Sequence, residues 1–301
     1  MKLLGRVPES IETYRPRAGG GESRCFVLRQ EGQALFMKIA RRQGAEPLGL
    51  YFHGRLREAG LPVPALVASG ESTLKGRLST IWEYVDGGQA RWRGRGPCPY
   101  NEAECAELLI RIHALDFDGP FCFLGDEPPD REFGPASDTW AEMFPYDLAA
   151  RSYFDQGLID EKEADILVSL PHLLDEELGK VEKRLLHMDF FFNGNLILHE
   201  GTGRIVGVVD YAEAMAGDPL FEVAVFERHH LPDKHIFDIQ RFRDAYGYDP
   251  NAPLIRFYVL SLLLFERLMH DYVRENLEST TLRKKEGLFL DQVRLLVHSF
   301  R

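Results

Sequence analysis

The chain has 301 residues, 45% apolar and 28% charged, with a net charge of −11 from 47 acidic and 36 basic residues. That length exceeds what one core usually fills, so two lobes are expected, and the acidic balance without a basic tract argues against nucleic acid while suiting a cationic ligand. No run approaches the ~18 apolar residues of a membrane span. The longest, FYVLSLLLFERLM at 257–269, is broken by Glu266 and Arg267. The opening residues lack the apolar segment of a signal peptide, so a cytoplasmic location is expected. Cys25, Cys98, Cys105 and Cys122 show neither a CxxC pair nor zinc spacing. They read as reduced thiols, with Cys25 and Cys105 in core positions.

The first third reads as a small sheet with one helix. RCFVLR (24–29) and ALFMKIA (34–40) alternate as strands around the turn QEG, forming a hairpin. Residues 46–59 read as a helix with Pro47 in its first turn. LPVPALVAS (61–69) is extended before its prolines, RLSTIWEYV (77–85) is another strand, and DGG (86–88) punctuates. Long helices then dominate. NEAECAELLIRIHAL (101–115) opens on Asn101 with Glu104 three residues on, a capping-box-like start. Helices are expected at 138–155, 160–182 with an interruption at Pro171, 219–230, 235–246, 252–274 and 280–299. NLIL (195–198) and RIVGVVD (204–210) are strands joined by HEGTG. The resulting expectation is an α+β bilobal chain, with an antiparallel-sheet lobe over 1–86 and a mainly helical lobe over 87–301.

Three motifs carry chemistry. GGGESRCF (19–26) is a glycine loop whose amides, with the hydroxyl of Ser23, can approach an anion, although such a run is also a common turn. Lys38 lies mid-strand among apolar neighbours and needs either an anionic partner or a path to water. Loop, turn and strand lysine together resemble the nucleotide-holding half of a kinase. The third motif is LLHMDFFFNGN (185–195) with VVDYAEAMAGDP (208–219). Its strand pairing brings Asp189, Asn195 and Asp210 towards one another. Two carboxylates and an amide suit Mg²⁺ together with a base that orients a hydroxyl, whereas isolated aspartates of this kind often cap turns.

HMDFFFNGN–LIL followed by VVDYAEAMAGDPLFEVA resembles the aminoglycoside phosphotransferase family, whose pattern is HGDxxxxN, a strand ending in Asp, then GDP. The second stretch is most similar to the hygromycin B branch of that family, and GGGESRCF, LPVP and LLIRIHALD have counterparts too. The resemblance spans about residues 17–275. It implies a protein-kinase-like fold, Mg²⁺ with ATP (GTP left open), and transfer of the γ-phosphoryl to a hydroxyl of a cationic small molecule such as an aminocyclitol antibiotic. A macrolide kinase, a metabolite kinase and an inactive pseudokinase are the alternatives; a monomer or homodimer is expected.

By that resemblance Asp189 matches the catalytic aspartate, Asp210 the metal-binding aspartate, Lys38 the phosphate lysine and His187 the structural histidine. Ser23 falls in the phosphate loop, and Trp82, Glu83, Tyr84 and Val85 fall where the adenine meets hinge backbone. The family's metal asparagine would fall at 194, which is glycine here; Asn195 is taken with one inserted residue, and Asn193 is the alternative. Met188 replaces the usual glycine. The helix acid for Lys38 is taken as Glu46. Phe190, Phe191 and Phe192 are expected to anchor the loop in the core, with the alternative that one of them faces the substrate. Glu213, Glu227 and Glu266 are the substrate-side acids, with Asp271, His229 and His230 as further cleft candidates, and 126–138 suits a cleft edge.

Overall fold

The computed structural model describes residues 5, 7–14, 24–40, 48–71, 77–89, 101–123, 137–144, 146–190, 194–211, 213–229 and 238–274. Five antiparallel strands form the first sheet: β1 (Ser10–Tyr14), β2 (Arg24–Gln30), β3 (Gln33–Ile39), β4 (Leu66–Glu71) and β5 (Leu78–Glu83). Their order is β1-β2-β3-β5-β4. The β2–β3 hairpin turns on Glu31 and Gly32, both at positive φ (51° and 76°), as a tight two-residue turn requires. Strand β1 was not foreseen: SIETY is an edge strand with no buried face, so it has no apolar alternation to read.

Helix α1 (Leu48–Glu58) buries Phe52 and Leu56. These two and Leu61 share one core with the helices that follow. Arg111 donates to the carbonyls of Ala59 and Gly60, fastening the end of α1 to the helical part. The helices are α2 (Glu102–His113), α3 (Tyr146–Asp155), α4 (Glu161–Leu173), α5 (Asp175–Leu178), α6 (Pro219–His229), α7 (Ile239–Tyr246) and α8 (Pro253–Arg274). The helix expected at 280–299 lies outside the described residues.

Several expectations need correction. Asn101 caps α2 by accepting from the Ala103 amide, but Glu104 closes no capping box; it accepts from Ile205 N at 3.3 Å instead. The expected helix at 138–155 divides into a short 3-10 turn (Ala141–Met143) and α3. Phe144 between them is extended, as a residue before proline must be. Helix α4 runs through Pro171 to Leu173 and breaks at Leu174 (φ −112°, ψ 15°), because losing one N–H so near its end matters little. Cys25 is half-buried and Cys105 fully buried; among the described cysteines none is disulfide-bonded.

Two small sheets organise the helical part. One has the order β10-β9-β6, from β6 (Gly88–Gln89), β9 (Leu196–Leu198) and β10 (Ile205–Val208). The other has the order β7-β11-β8, from β7 (Cys122–Phe123), β8 (Arg184–Leu186) and β11 (Met215–Gly217). The expected DGG punctuation is therefore a strand entry. Gly87 is needed there, since a Cβ would stand 2.5 Å from the Leu198 carbonyl oxygen. No helix among the described residues is long and apolar enough to cross a membrane.

Candidate active site

Lys38 lies next to the end of β3, the middle strand of the sheet, opposite Cys25 on β2 and Thr80 on β5. Its ammonium donates to Asp210 Oδ1 at 2.8 Å, with Lys38 one-fifth exposed and Asp210 about half exposed. Asp210 follows β10 and takes a left-handed φ of 66°. The β9–β10 pairing continues past the strands, with Val209 N donating to Asn195 O at 2.9 Å. That register brings Asn195 beside the Asp210 turn. Asn195 is buried, and its Nδ2 donates to both the carbonyl (2.7 Å) and Oδ2 (2.9 Å) of Asp189. Asp189 N in turn donates to His187 O at 2.9 Å, a tight turn. With its NH₂ on Asp189, Asn195 has its Oδ1 to offer a cation.

The aspartate turn is held from beneath by residues the sequence reading did not single out. Glu222 on α6 is 1% exposed, and its carboxylate accepts from His187 N (2.8 Å), Met188 N (2.7 Å) and His113 Nε2 (3.0 Å). His113 Nδ1 reaches the Tyr246 hydroxyl at 2.7 Å. Met188 sits at φ 64°, where a side chain costs about 1–2 kcal/mol relative to glycine. The GDP stretch explains how α6 starts where it does. Gly217 leaves room for the Trp140 ring, which a Cβ would meet at 2.5 Å. Asp218 Oδ1 caps the helix by accepting from Leu220 N, and Pro219 supplies a first turn that needs no amide donor. Asp218 Oδ2 accepts from the Tyr258 hydroxyl (2.6 Å), which accepts from Trp140 Nε1 (2.7 Å). Burial pushes the Asp218 carboxyl above its ordinary range, against those hydrogen bonds. The GDP motif and the histidine of LLIRIHALD were the signals available for this support.

His187 is fully buried in an aromatic cage of Phe52, Phe190 and Tyr211, with ring centroids 5.5–6.1 Å apart. Neither ring nitrogen makes a hydrogen bond of ordinary geometry, although the backbone at Val209 and at His187 itself favours the charged ring. Burial pulls its pKa down, opposed by the charges of Glu222 and Asp210. Phe190 is a core anchor, 2% exposed.

Val85 lies close to β10, where a Cβ on Gly207 would meet its side chain at 3.2 Å. Trp82 packs edge-on against His53 at 4.6 Å. Glu83 accepts from Ala65 N, and Tyr84 is exposed. Glu213 is exposed, two residues after the site tyrosine Tyr211. Glu227 holds α6 to α7 through a two-pronged pair with Arg243 (2.8 and 2.6 Å) and accepts from the Tyr248 hydroxyl just past α7. Ser23, Glu46, Asn193, Phe191, Phe192 and His230 lie outside the described residues, as do residues 126–136 and the side chains of His229, Glu266 and Asp271. Among the described residues no three His, Cys, Asp or Glu side chains form a metal cage. The donor set of Asp210 and Asn195 fits a hard cation whose other ligands come from phosphate and water.

A five-stranded antiparallel sheet over a helical part, with a lysine, two aspartates and an asparagine gathered between them, defines a kinase-like architecture. The model of the phosphotransferase enzyme family APH matches residues 13–258, and the chain belongs to that family. Hygromycin-B 4-O-kinase of Escherichia coli is 25% identical over 237 residues, covering 74% of this chain and 64% of that protein. The chain therefore spans just under two thirds of that relative's length. A thermostable mutant of aminoglycoside phosphotransferase APH(4)-Ia, solved with AMP-PNP and hygromycin B, superposes with a TM-score of 0.63 at 21% identity over 97% of this chain and 95% of that one. ADP-bound APH(2'')-Ib gives 0.62 at 16% identity over 98% and 96%. A putative fructosamine-3-kinase from Haemophilus somnus 129PT gives 0.59 at 16% over 99% and 93%. At these identities the solved structures establish the fold.

Proposed function

We propose that the protein is an ATP- and Mg²⁺-dependent kinase that phosphorylates a hydroxyl of a cationic aminocyclitol of the hygromycin B type. The observation that carries this reading is the double hydrogen bond from Asn195 to Asp189, next to the Lys38–Asp210 pair. These contacts bring a fixed carboxylate, a cation and an oxygen donor pair together from separate segments of the chain. Family membership and the hygromycin kinase relative support the reaction class and the acceptor type.

In this reading Asp189 orients the acceptor hydroxyl and takes its proton, and Asn195 fixes the rotation of that carboxylate. Lys38 offers its ammonium to nucleotide phosphates, while Asp210 and the Asn195 oxygen would hold Mg²⁺. Bound Mg²⁺–nucleotide supplies the transferable phosphoryl group and neutralises its charge. Because the transition state is loose, positioning carries most of the rate, which is why a half-buried, hydrogen-bonded aspartate turn is suited to it. The lobes divide at about residue 86: 1–86 for nucleotide, 87–301 for the aspartate turn and acceptor. Exposed Glu213 is the acid we assign to acceptor amines.

The test is phosphorylation of a panel led by hygromycin B, with other aminoglycosides, macrolides and small alcohols, read by mass of the product. A mass gain of one phosphoryl group on an aminocyclitol is expected. Transfer confined to neutral sugars or alcohols would overturn the acceptor assignment, and no transfer to any member would overturn the kinase reading as stated.

A further inference from the structure

Helix α1 precedes the sequence boundary near residue 86, yet its packing puts it on the other side. Phe52 and Leu56 of α1 share one apolar core with Leu109 of α2 and Phe221 of α6. The buried apolar residues of the first sheet, Val27, Leu28, Ile39 and Ile81, stand outside that core. Further ties hold α1 to the same helical body. Tyr51 packs edge-on against Phe117, just past α2, with ring centroids 5.9 Å apart, and Arg55 fixes the Tyr51 hydroxyl by donating to it at 2.8 Å. Phe52 lies edge-on to His187 at 6.1 Å and tilted against Tyr211 at 5.5 Å. Arg111 of α2 donates to the carbonyls of Ala59 and Gly60 at 3.3 and 2.9 Å.

The sheet meets α1 and the body more lightly. Trp82 lies edge-on to His53 at 4.6 Å, and Lys38 pairs with the half-exposed Asp210. A partly exposed ion pair holds weakly. The described chain passes between sheet and body at two points, while 41–47 lies outside the described residues. In the first, Pro62 O accepts from Val208 N of β10 and Pro64 O from His53 Nε2, both at 2.7 Å, which ties these prolines to the body. Ala65 O accepts from Glu83 N of β5 at 2.8 Å, which ties the next residue to the sheet. The second crossing runs from exposed Tyr84 to Gly87, after which β6 pairs with β9 of the body.

Resting on the kinase reading above, we infer that α1 is a fixed part of the body that carries Asp189 and Asp210, and that the five-stranded sheet alone swings when nucleotide binds. It pivots at Pro64–Ala65 and at Tyr84–Gly87, where a few residues absorb the change in backbone angles. The mechanical boundary then differs from the sequence boundary. Lys38 travels with the sheet while Asp210 stays, so their pair is made and broken across the moving boundary. Phosphates entering there take Lys38 from Asp210 as the sheet closes.

Spin labels on Glu58→Cys (α1), Glu71→Cys (β4) and Glu107→Cys (α2), all exposed positions, test this. They are placed in pairs on the full chain with its four native cysteines replaced, and the distances are read with and without Mg²⁺ and AMP-PNP. The 71–107 and 71–58 distances are expected to change with nucleotide, and the 58–107 distance to stay the same. In parallel, native-state hydrogen exchange is read on the unsubstituted chain without nucleotide. The amides of α1 are expected to open with those of α2, and apart from those of β2 and β3.

A 58–107 distance that changes while 58–71 stays constant would put α1 with the sheet and overturn the inference. Change in all three would make α1 a third moving part, and no change despite a nucleotide thermal shift would remove the swing; either result overturns it too. If no nucleotide binds, the kinase reading fails and hydrogen exchange alone decides where α1 belongs. It decides equally if the cysteine replacements do not yield folded protein. Opening of α1 together with β2 and β3 would then be the contrary result.

Discussion

The ammonium of Lys38 donates to the carboxylate of Asp210 at 2.8 Å across 172 residues of sequence. This contact joins the first sheet to the second part of the chain, where the proposed kinase would hold its nucleotide phosphates. A largely buried ammonium needs an anionic partner or a path to water, and here Asp210 provides the anion. Replacing Lys38 with Ala removes that charge from the phosphate side of the cleft. We expect nucleotide affinity to fall about tenfold or more, roughly 1.4 kcal/mol or above, measured by nucleotide titration of thermal stability. Undiminished affinity would contradict the role given to Lys38.

Asn195 fixes Asp189 through two contacts, so Asn195→Ala should act on turnover rather than on acceptor binding. The expected loss in kcat is about 10²-fold or more, the scale of a misplaced general base. Steady-state kinetics with saturating nucleotide checks it. A kcat near that of the unsubstituted chain would show that Asp189 needs no such support.

His187 gives a prediction about pH. Burial holds its pKa below the ordinary imidazole value of about 6.5. The unfolded chain takes up a proton near that value while the folded chain does not, so stability is full above it and declines as pH falls through it. His53, also depressed chiefly by burial, adds to the same decline. His187→Phe removes one contributor, and because neither ring nitrogen has an ordinary hydrogen bond to lose, overpacking of about 1–3 kcal/mol is the main cost. Unfolding temperatures followed from about pH 8 to about pH 5, across the imidazole range, should fall less steeply in the variant. An identical slope would mean that His187 takes up its proton at the same pH in the folded and unfolded chain.

Gly217 tests how helix α6 is seated. Its Cβ would stand 2.5 Å from the Trp140 ring, 2.7 Å from a second ring carbon and 3.0 Å from Leu186. Trp140 is held by Tyr258 and cannot step aside without breaking the chain of hydrogen bonds to Asp218. Gly217→Ala should destabilise by about 1–3 kcal/mol, read by chemical denaturation. A neutral effect would mean the Trp140 cluster is looser than its packing indicates.

The legible parts of the fold were those with a local signal. The β2–β3 hairpin follows from its turn and alternation, α2 from Asn101 and its apolar stripe, and the β9–β10 pair from HEGTG. Strand β11 was invisible because Met-Ala-Gly, buried on both sides, carries neither alternation nor branching. Strand β1 failed for the opposite reason, having no buried face. Within the site, Asp189, Asn195 and Asp210 were legible because a short hairpin sets their distance. Glu222 and His113 were not, since they meet the aspartate turn only through tertiary packing, 35 residues downstream of His187 in one case and 109 residues from Glu222 in the other. Glu227, offered as a substrate acid, stands on the same helix as Glu222, and its carboxylate is paired with Arg243.

The most direct measurement is phosphoryl transfer from ATP with Mg²⁺ to hygromycin B, comparing the unsubstituted chain with Asp189→Asn. The variant keeps the size and hydrogen-bonding shape at 189 but cannot accept the acceptor's proton. The account predicts substrate-dependent turnover that falls by about 10²–10⁴-fold in the variant, with nucleotide binding retained by thermal shift. Turnover equal in the two proteins would contradict the assignment of Asp189 as the base.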